Sequence, residues 1–292
     1  MMFLLNISKP DDLLKMNRPL LLLILTLFCL PAALQAKNHV KETPLSIDSE
    51  ALAVIYSGQE KMHFSVSWSG GVKIGDLYMT VAPEASGDGL LITARVTDYG
   101  LFKFFYPVND TFITAVRGPL KLPYRYDVHQ LEGSMEVRRR TTYDQQKFEL
   151  RYRKHENPTT LYMLTGPTYN EFSSFFITRS LRLNGKCQQI IPSFVDKKRH
   201  KVAVKVLGKE KKETLFGLMN TIKVMPKMYF KGLYNKDGDT VFWLTDDACR
   251  VPVEIRSKIL VGSLVAELVE YSNPACRAEF FSGKDIAQLR NK

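Results

Sequence analysis

Apolar and polar residues alternate along most of this chain. Phe64, Val66 and Trp68 alternate with His63, Ser65 and Ser67, the period of two expected of a strand with one buried face. Ser69, Gly70 and Gly71 supply turn chemistry, and the extended pattern resumes from Val72 to Ala82 as a hairpin partner. A loop from Pro83 to Gly89 leads into Leu90 to Thr97. Further runs at Asp110 to Val116, Tyr124 to Leu131, Glu136 to Tyr143 and Lys147 to Lys154 predict more strands, punctuated by Gly118-Pro119 and Gly133-Ser134. Between Pro158 and Gly185 the period changes. Phe172, Phe175, Phe176 and Arg179 recur at helical spacing and Asn184-Gly185 offers a stop, so a short helix is predicted over Asn170 to Leu181.

A second strand series comes next: Cys187 to Val195, His200 to Lys209, Thr221 to Tyr229, Thr240 to Thr245, Val251 to Leu260 and Ser263 to Tyr271. No linker separates the two series. The pattern therefore predicts an all-β, mainly antiparallel fold over residues 60–272: one curved, barrel-like or sandwich-like sheet with a short central helix. Residues 37–59 have no strong β period and read as a leader of uncertain order; 273–292 form a tail, helical from Asp285 to Arg290. An outer-membrane barrel would need strands of about 10 residues with a lipid-facing apolar face. Uneven strands and many outward Lys and Arg argue against it.

The N-terminus reads as a targeting signal. Leu20 to Leu30 is apolar apart from Thr26, and Pro31 and small residues lead on to Ala36. Eleven residues suit a signal-peptide core, whereas a membrane anchor needs about 20. Cleavage is expected between Ala36 and Lys37, with Met16 the expected initiator. Residues 1–36 are then a signal peptide and the mature chain is periplasmic, not an integral membrane protein.

The 292-residue chain is 45% hydrophobic, enough for a sizeable core, and carries a net charge of +11. Losing Lys9, Lys15 and Arg18 together with Asp11 and Asp12 leaves +10. Outside the cytoplasm, such a field favours phospholipid headgroups, lipopolysaccharide or acidic glycans, and not nucleic acid. Cys187, Cys249 and Cys276 survive cleavage, which allows one disulfide in an oxidising compartment. Cys249 with Cys276 is the preferred pair; three buried thiols are the alternative.

Several segments together resemble a bacterial exported family catalogued as domain of unknown function 3108. They include Phe64-Ser-Val-Ser-Trp68 with Lys73-Ile-Gly-Asp76, Tyr99-Gly-Leu-Phe-Lys-Phe-Phe-Tyr106 with Val108-Asn-Asp-Thr-Phe112, and Lys205-Val-Leu-Gly-Lys209. Others are Phe216-Gly217, Thr221-Ile-Lys-Val224 with Pro226, Trp243-Leu-Thr-Asp-Asp247, Arg250-Val-Pro-Val-Glu-Ile255, and Val261-Gly-Ser263 with Glu267 and Tyr271. The resemblance runs from about Lys61 to Tyr271. It implies an exported, largely β protein of the bacterial envelope and brings no catalytic residues. The cysteines stand outside its pattern.

Catalytic motifs are mostly absent. His39, His63, His129, His155 and His200 show no metal-binding spacing, and there is neither a Gly-x-Ser-x-Gly elbow nor a phosphate loop. No metal, cofactor or catalytic residue is assigned. Asp246-Asp247 reads as a turn before it reads as an acid pair. Of Arg138, Arg139 and Arg140, the middle one must face away from its neighbours on a strand. Lys197-Lys198-Arg199 reads as a solvated hairpin tip. The aromatics are more informative: Tyr99, Phe102, Phe105 and Tyr106 crowd one segment, Phe172, Phe175 and Phe176 the helix. The two groups are expected to meet, either as a core plug, which is preferred, or as the lining of a groove for an acyl chain. Two functions stay open: non-enzymatic binding of a hydrophobic or anionic envelope component or partner protein, and, less favoured, an enzyme acting on an envelope polymer.

Overall fold

The computed structural model describes residues 44–69, 71–85, 87–100, 107–184, 188–229, 240–259 and 262–276. The expected signal segment, with Ala36 and Lys37, and the expected helix at 285–290 lie outside these residues. Among the described residues, fourteen strands form one antiparallel sheet. The first series is β1 (Lys61–Trp68), β2 (Val72–Pro83), β3 (Leu90–Asp98), β4 (Asn109–Arg117), β5 (Leu122–Glu132), β6 (Met135–Asp144), β7 (Glu149–Lys154) and β8 (Thr160–Met163). The second is β9 (Gln189–Val195), β10 (Lys198–Thr214), β11 (Gly217–Tyr229), β12 (Thr240–Thr245), β13 (Pro252–Lys258) and β14 (Ser263–Ser272). Each series is a meander, and β1 pairs with β14 to join them.

The sheet curls but does not close. Its edges are β8 and β9, and the chain between them carries helix α2 (Glu171–Arg179). Side chains bridge the seam: the Tyr162 and Phe194 rings lie 5.1 Å apart, and Lys197 Nζ sits 5.6 Å from the Tyr152 ring. Asp196 and Lys197 both have positive φ, as a tight hairpin turn requires, so this basic cluster does begin at a hairpin tip.

The alternation in the sequence becomes the two faces of the sheet. Met62, Phe64 and Val66, Leu77, Met79 and Val81, and Ile92 and Ala94 all point inward and are buried. Trp68 belongs to the same alternation yet is 43% exposed, because a register shift between Val66 and Ser67 turns the strand end. The leader reading of 37–59 needs correction. It contains helix α1 (Ser49–Ile55), capped by Asp48 and holding Ala51 and Ile55 fully buried. With two inward positions in seven residues, such a helix leaves almost no periodicity. Strand β8 is a second addition to the expected elements, a four-residue edge whose small buried face leaves no alternation to read.

Helix α2 falls within the predicted range because its sequence caps it. The Asn170 side chain accepts from the Ser173 N–H at 2.9 Å and the Ser173 hydroxyl accepts from the Asn170 N–H at 2.9 Å, closing a capping box. Asn170 Nδ2 donates to Thr114 on β4 at 2.8 Å, and Ser174 bonds Ser193 on β9 at 2.7 Å, so the helix is tied to both sides of the seam.

Its other end is tied more strongly. Arg179 and Glu60 are both 0% exposed, and Arg179 donates to the Glu60 carboxylate at 2.8 and 2.6 Å. Arg179 Nε donates to the Arg250 carbonyl at 3.0 Å, and the Tyr271 hydroxyl donates to Glu60 at 3.2 Å. One ion pair thereby joins α2 to the start of β1, the β12–β13 turn and the end of β14. In that region Cys249 and Cys276 form a disulfide with Cα atoms 5.4 Å apart.

Removing one partner of a buried pair strands the other charge, which costs about 3–5 kcal/mol. Arg179→Met is expected to lose that much in urea unfolding, and adding Glu60→Gln to recover a large part of it. A single variant that loses less than about 1 kcal/mol would show that the pair does not hold the helix.

Candidate functional site

The aromatics expected to form a site are placed differently from one another. Phe172 packs on Phe112 at 5.0 Å, Phe175 on Phe242 at 5.0 Å, and Phe176 is fully buried, so the helix aromatics belong to the continuous core. Tyr99 is 51% exposed, with Lys73 Nζ 4.1 Å above its ring. Lys73 also pairs with Asp76 on the convex face, whereas α2 lies on the concave side, so Tyr99 does not meet the helix. Phe102, Phe105 and Tyr106 lie outside the described residues.

Beyond the helix the concave side changes character. Nine helical residues span about 13 Å, while the eleven residues of β5 span about 36 Å, so α2 cannot fill the barrel. Strand register sets Arg139 beside Val128 and Lys154, Thr141 beside Tyr126 and Tyr152, and Tyr143 beside Leu150. Arg139 thus points inward, while Arg138 and Arg140 point out to Glu136 and Asp127. Among these inward residues Arg139, Tyr152, Lys154, Tyr162 on β8 and Glu171 on α2 are only half-buried, so solvent reaches this part of the interior.

The groups there are coupled. An Arg139 terminal nitrogen donates to Gln130 Oε1 at 2.7 Å, and Gln130 Nε2 donates to Asp110 at 3.0 Å and Glu132 at 3.2 Å. Burial pushes the Asp110 carboxyl up, although hydrogen bonds from Gln130 and the Leu131 N–H pull the other way. Burial also pushes Glu171 up to about 7, with Asp196 adding to the rise and Arg139 and Tyr126 opposing it. The Tyr126 and Tyr143 phenols rise through burial and then through the Glu171 charge. Arg139 Nε and Glu171 Oε2 are both buried without a hydrogen-bond partner, so these two atoms do not satisfy each other. Together they make a half-buried polar cluster with one cation, Arg139, and one acid, Glu171, whose carboxyl is raised to about 7.

The convex face carries a different chemistry. Sheet register sets Asp76, Ser65, Glu267, Glu254, Trp243 and Lys223 in one transverse row. His63 and Lys73 contact the same Asp76 oxygen at 2.8 and 2.9 Å. Burial raises the Asp76 carboxyl, but these two partners outweigh it and hold it below its ordinary range. Gly75 has to be glycine: a Cβ would lie 2.3 Å from the Thr97 carbonyl oxygen. Trp243 is buried under Lys212, Lys223 and Arg256, whose charges sit 4.7, 4.9 and 5.7 Å from its ring. Asp247 accepts from Thr245 and from the Cys249 and Arg250 N–H groups, the turn role expected of it.

Two of these features have a signal in the sequence. Arg139 is the inward member of an arginine run, and Arg179 is a charge on the apolar stripe of a helix. The Glu171 environment has none, because it depends on β5, β6 and the β9–β10 turn meeting in space.

An open, barrel-like antiparallel sheet with an internal helix, a largely apolar concave face and a charged convex face is the class of protein these features define. The chain belongs to the family described as "Protein of unknown function (DUF3108)", whose model matches residues 63–269. Among solved structures it is similar to a β-barrel-like protein of domain of unknown function DUF1849 from Brucella abortus, at 9% identity and a TM-score of 0.52, covering 73% of this chain and 97% of that one. That likeness extends to fold alone. A hypothetical protein, CT021, from Chlamydia trachomatis gives a TM-score of 0.36 at 6% identity, covering 81% of this chain and 96% of that one. No curated protein matches the chain.

The raised Glu171 carboxyl predicts a pH dependence. Its folded pKa of about 7 lies above the ordinary 4.5, so its contribution is complete below 4.5 and is lost as pH rises towards 7. Glu171→Gln removes this titration while Tyr126, Arg139, Tyr143 and Asp196 remain around the site. Between pH 5 and pH 8 the urea midpoint is expected to shift in favour of the variant, on the order of one pH-unit equivalent or more. Parallel wild-type and variant curves would contradict the placement of Glu171.

Proposed function

We propose that this is an exported protein of the bacterial envelope that binds an anionic envelope component non-enzymatically, through the convex face of β10 to β13. The observation that carries this reading is the basic excess on that face: Lys201, Lys205, Lys212, Lys223, Arg256 and Lys258 outnumber Glu210 and Glu254, which pair with Lys212, Lys223 and Arg256. Val202 and Val204 point into the core, so Lys201 and Lys205 point out; register aligns Lys205 with Met225 beside Lys223, and Arg256 and Lys258 continue the face on β13. The Trp243 ring together with Glu254 and Glu210 holds Lys212, Lys223 and Arg256 at fixed positions, so they lose little freedom on binding. The packing of Phe172 and Phe176 into the core leaves less support for an acyl-chain groove at the helix.

Each basic side chain near an anionic surface is worth about 1 kcal/mol. Vesicle flotation with the mature chain is expected to show binding to phosphatidylglycerol vesicles or to lipopolysaccharide, weakening as salt rises, and none to zwitterionic phosphatidylcholine vesicles. Lys205→Gln, Lys223→Gln and Arg256→Gln combined should reduce it about a hundredfold. Equal binding to neutral and anionic surfaces, or a triple variant indistinguishable from wild type, would refute the reading.

A further inference from the structure

Exposed aromatic and apolar side chains gather at the end of the barrel where β1 turns into β2. Trp68 and Val72 stand opposite each other across that pair and are 43% and 59% exposed. The β13–β14 turn lies against them. The Ser69 N–H donates to the Ser263 carbonyl at 2.9 Å, and a Cβ on Gly262 would come within 2.8 Å of the Trp68 indole nitrogen. The indole therefore rests on the backbone of that turn while staying open to solvent. On the other side of the hairpin, exposed Tyr99 donates its N–H to the Ile74 carbonyl at 3.0 Å and lies under the Lys73 ammonium. A tryptophan, a valine and a tyrosine are thus held at neighbouring turns by contacts that do not cover them. Trp and Tyr, each with an apolar ring and a polar tip, suit a boundary between hydrocarbon and water.

Charge favours the same end. Lys258 on β13 is opposite Ser263, and the antiparallel registers carry this end of the sheet round to the β9–β10 turn, where Lys198 and Arg199 are exposed. The turns at the opposite end hold Glu84, Asp88, Asp144, Asp246 and Asp247 among their bases. Lys258 also belongs to the cationic convex face, so the aromatic end and that face are continuous. We propose that this end of the barrel docks on an anionic phospholipid bilayer, with Trp68, Val72 and Tyr99 entering the headgroup layer and Lys198, Arg199 and Lys258 meeting the phosphates. Such docking rests on the proposed anion-binding role of the convex face, to which it adds the partner and the orientation. Two contributions then hold the protein: attraction by the bases, which salt screens, and burial of the rings, which it does not.

The chain has two tryptophans and Trp243 is buried, so Trp68 serves as a probe already in place. When the mature chain is mixed with phosphatidylglycerol vesicles brominated on their acyl chains, the tryptophan emission should shift to shorter wavelength and be quenched. Trp68→Phe should leave only the unshifted, unquenched emission of Trp243. In flotation, Trp68→Ser combined with Tyr99→Ser should weaken binding about tenfold or more at low and high salt alike. The Lys205, Lys223 and Arg256 triple variant should instead lose the salt-dependent part. Quenching of the wild-type chain stands as a test even if a variant folds poorly. Vesicles that float the protein without quenching Trp68, or quenching that persists in Trp68→Phe, would overturn the docking and leave the cationic face its role. Binding to lipopolysaccharide with none to vesicles would also overturn it, and binding to neither would remove the role of the cationic face as well.

Discussion

Arg179 and Glu60 face each other with no access to water, and most of the tertiary arrangement at that end of the barrel results from keeping them paired. An isolated guanidinium in the core would cost several kcal/mol, so Arg179 must reach a carboxylate, and Glu60 immediately precedes β1. The pair in turn fixes neighbours. Tyr271 donates to Glu60, and Arg179 also donates to the carbonyl of Arg250. Since β1 and β14 are the strands that join the two meanders, the ion pair clamps the helix to the line where the sheet would otherwise be divided. The Cys249–Cys276 disulfide secures the same region covalently.

An open sheet has two edges to protect, and this one covers the gap between β8 and β9 from the inside. The helix is held by Thr114 and Ser193 from opposite sides of the seam, and the Tyr162 and Phe194 rings meet across its inner side. Because the helix is short, apolar filling ends partway along the barrel. Past that point the interior is polar: Asp110, Gln130, Arg139 and Glu171 on one side, and the Thr240–Ser257 hydroxyl pair at 3.0 Å on the other. The same strands present lysines and arginines on the convex face. Alternation along each strand thus produces two surfaces of unlike chemistry from one run of residues.

Much of this arrangement can be read along the chain. His63 to Trp68 and Thr240 to Thr245 announce their strands because a buried face imposes a period of two, and Asn170 with Ser173 announces the helix start because a cap has its own chemistry. Segments without a buried face are harder to read: Lys209 to Thr214 extends β10 as a charged hairpin arm, and α1 has only Ala51 and Ile55 fully inward. The polar cluster around Glu171 is not legible, since Arg139, Glu171 and Tyr126 lie on three elements and no spacing relates them. Tyr99 misleads in the opposite direction: an aromatic in a broken β pattern suggests the helix side, but backbone pairing of its N–H with Ile74 carries it to the convex face.

The central claim is that α2 is a structural strut that opens only when the whole sheet does. Native-state hydrogen exchange tests this directly. The α2 amides of Phe175 to Arg179 should exchange with the same free energy as the central strands β1 and β14, and with the same dependence on denaturant. Exchange of those amides through a separate, lower-energy opening, while β1 and β14 remain protected, would contradict it.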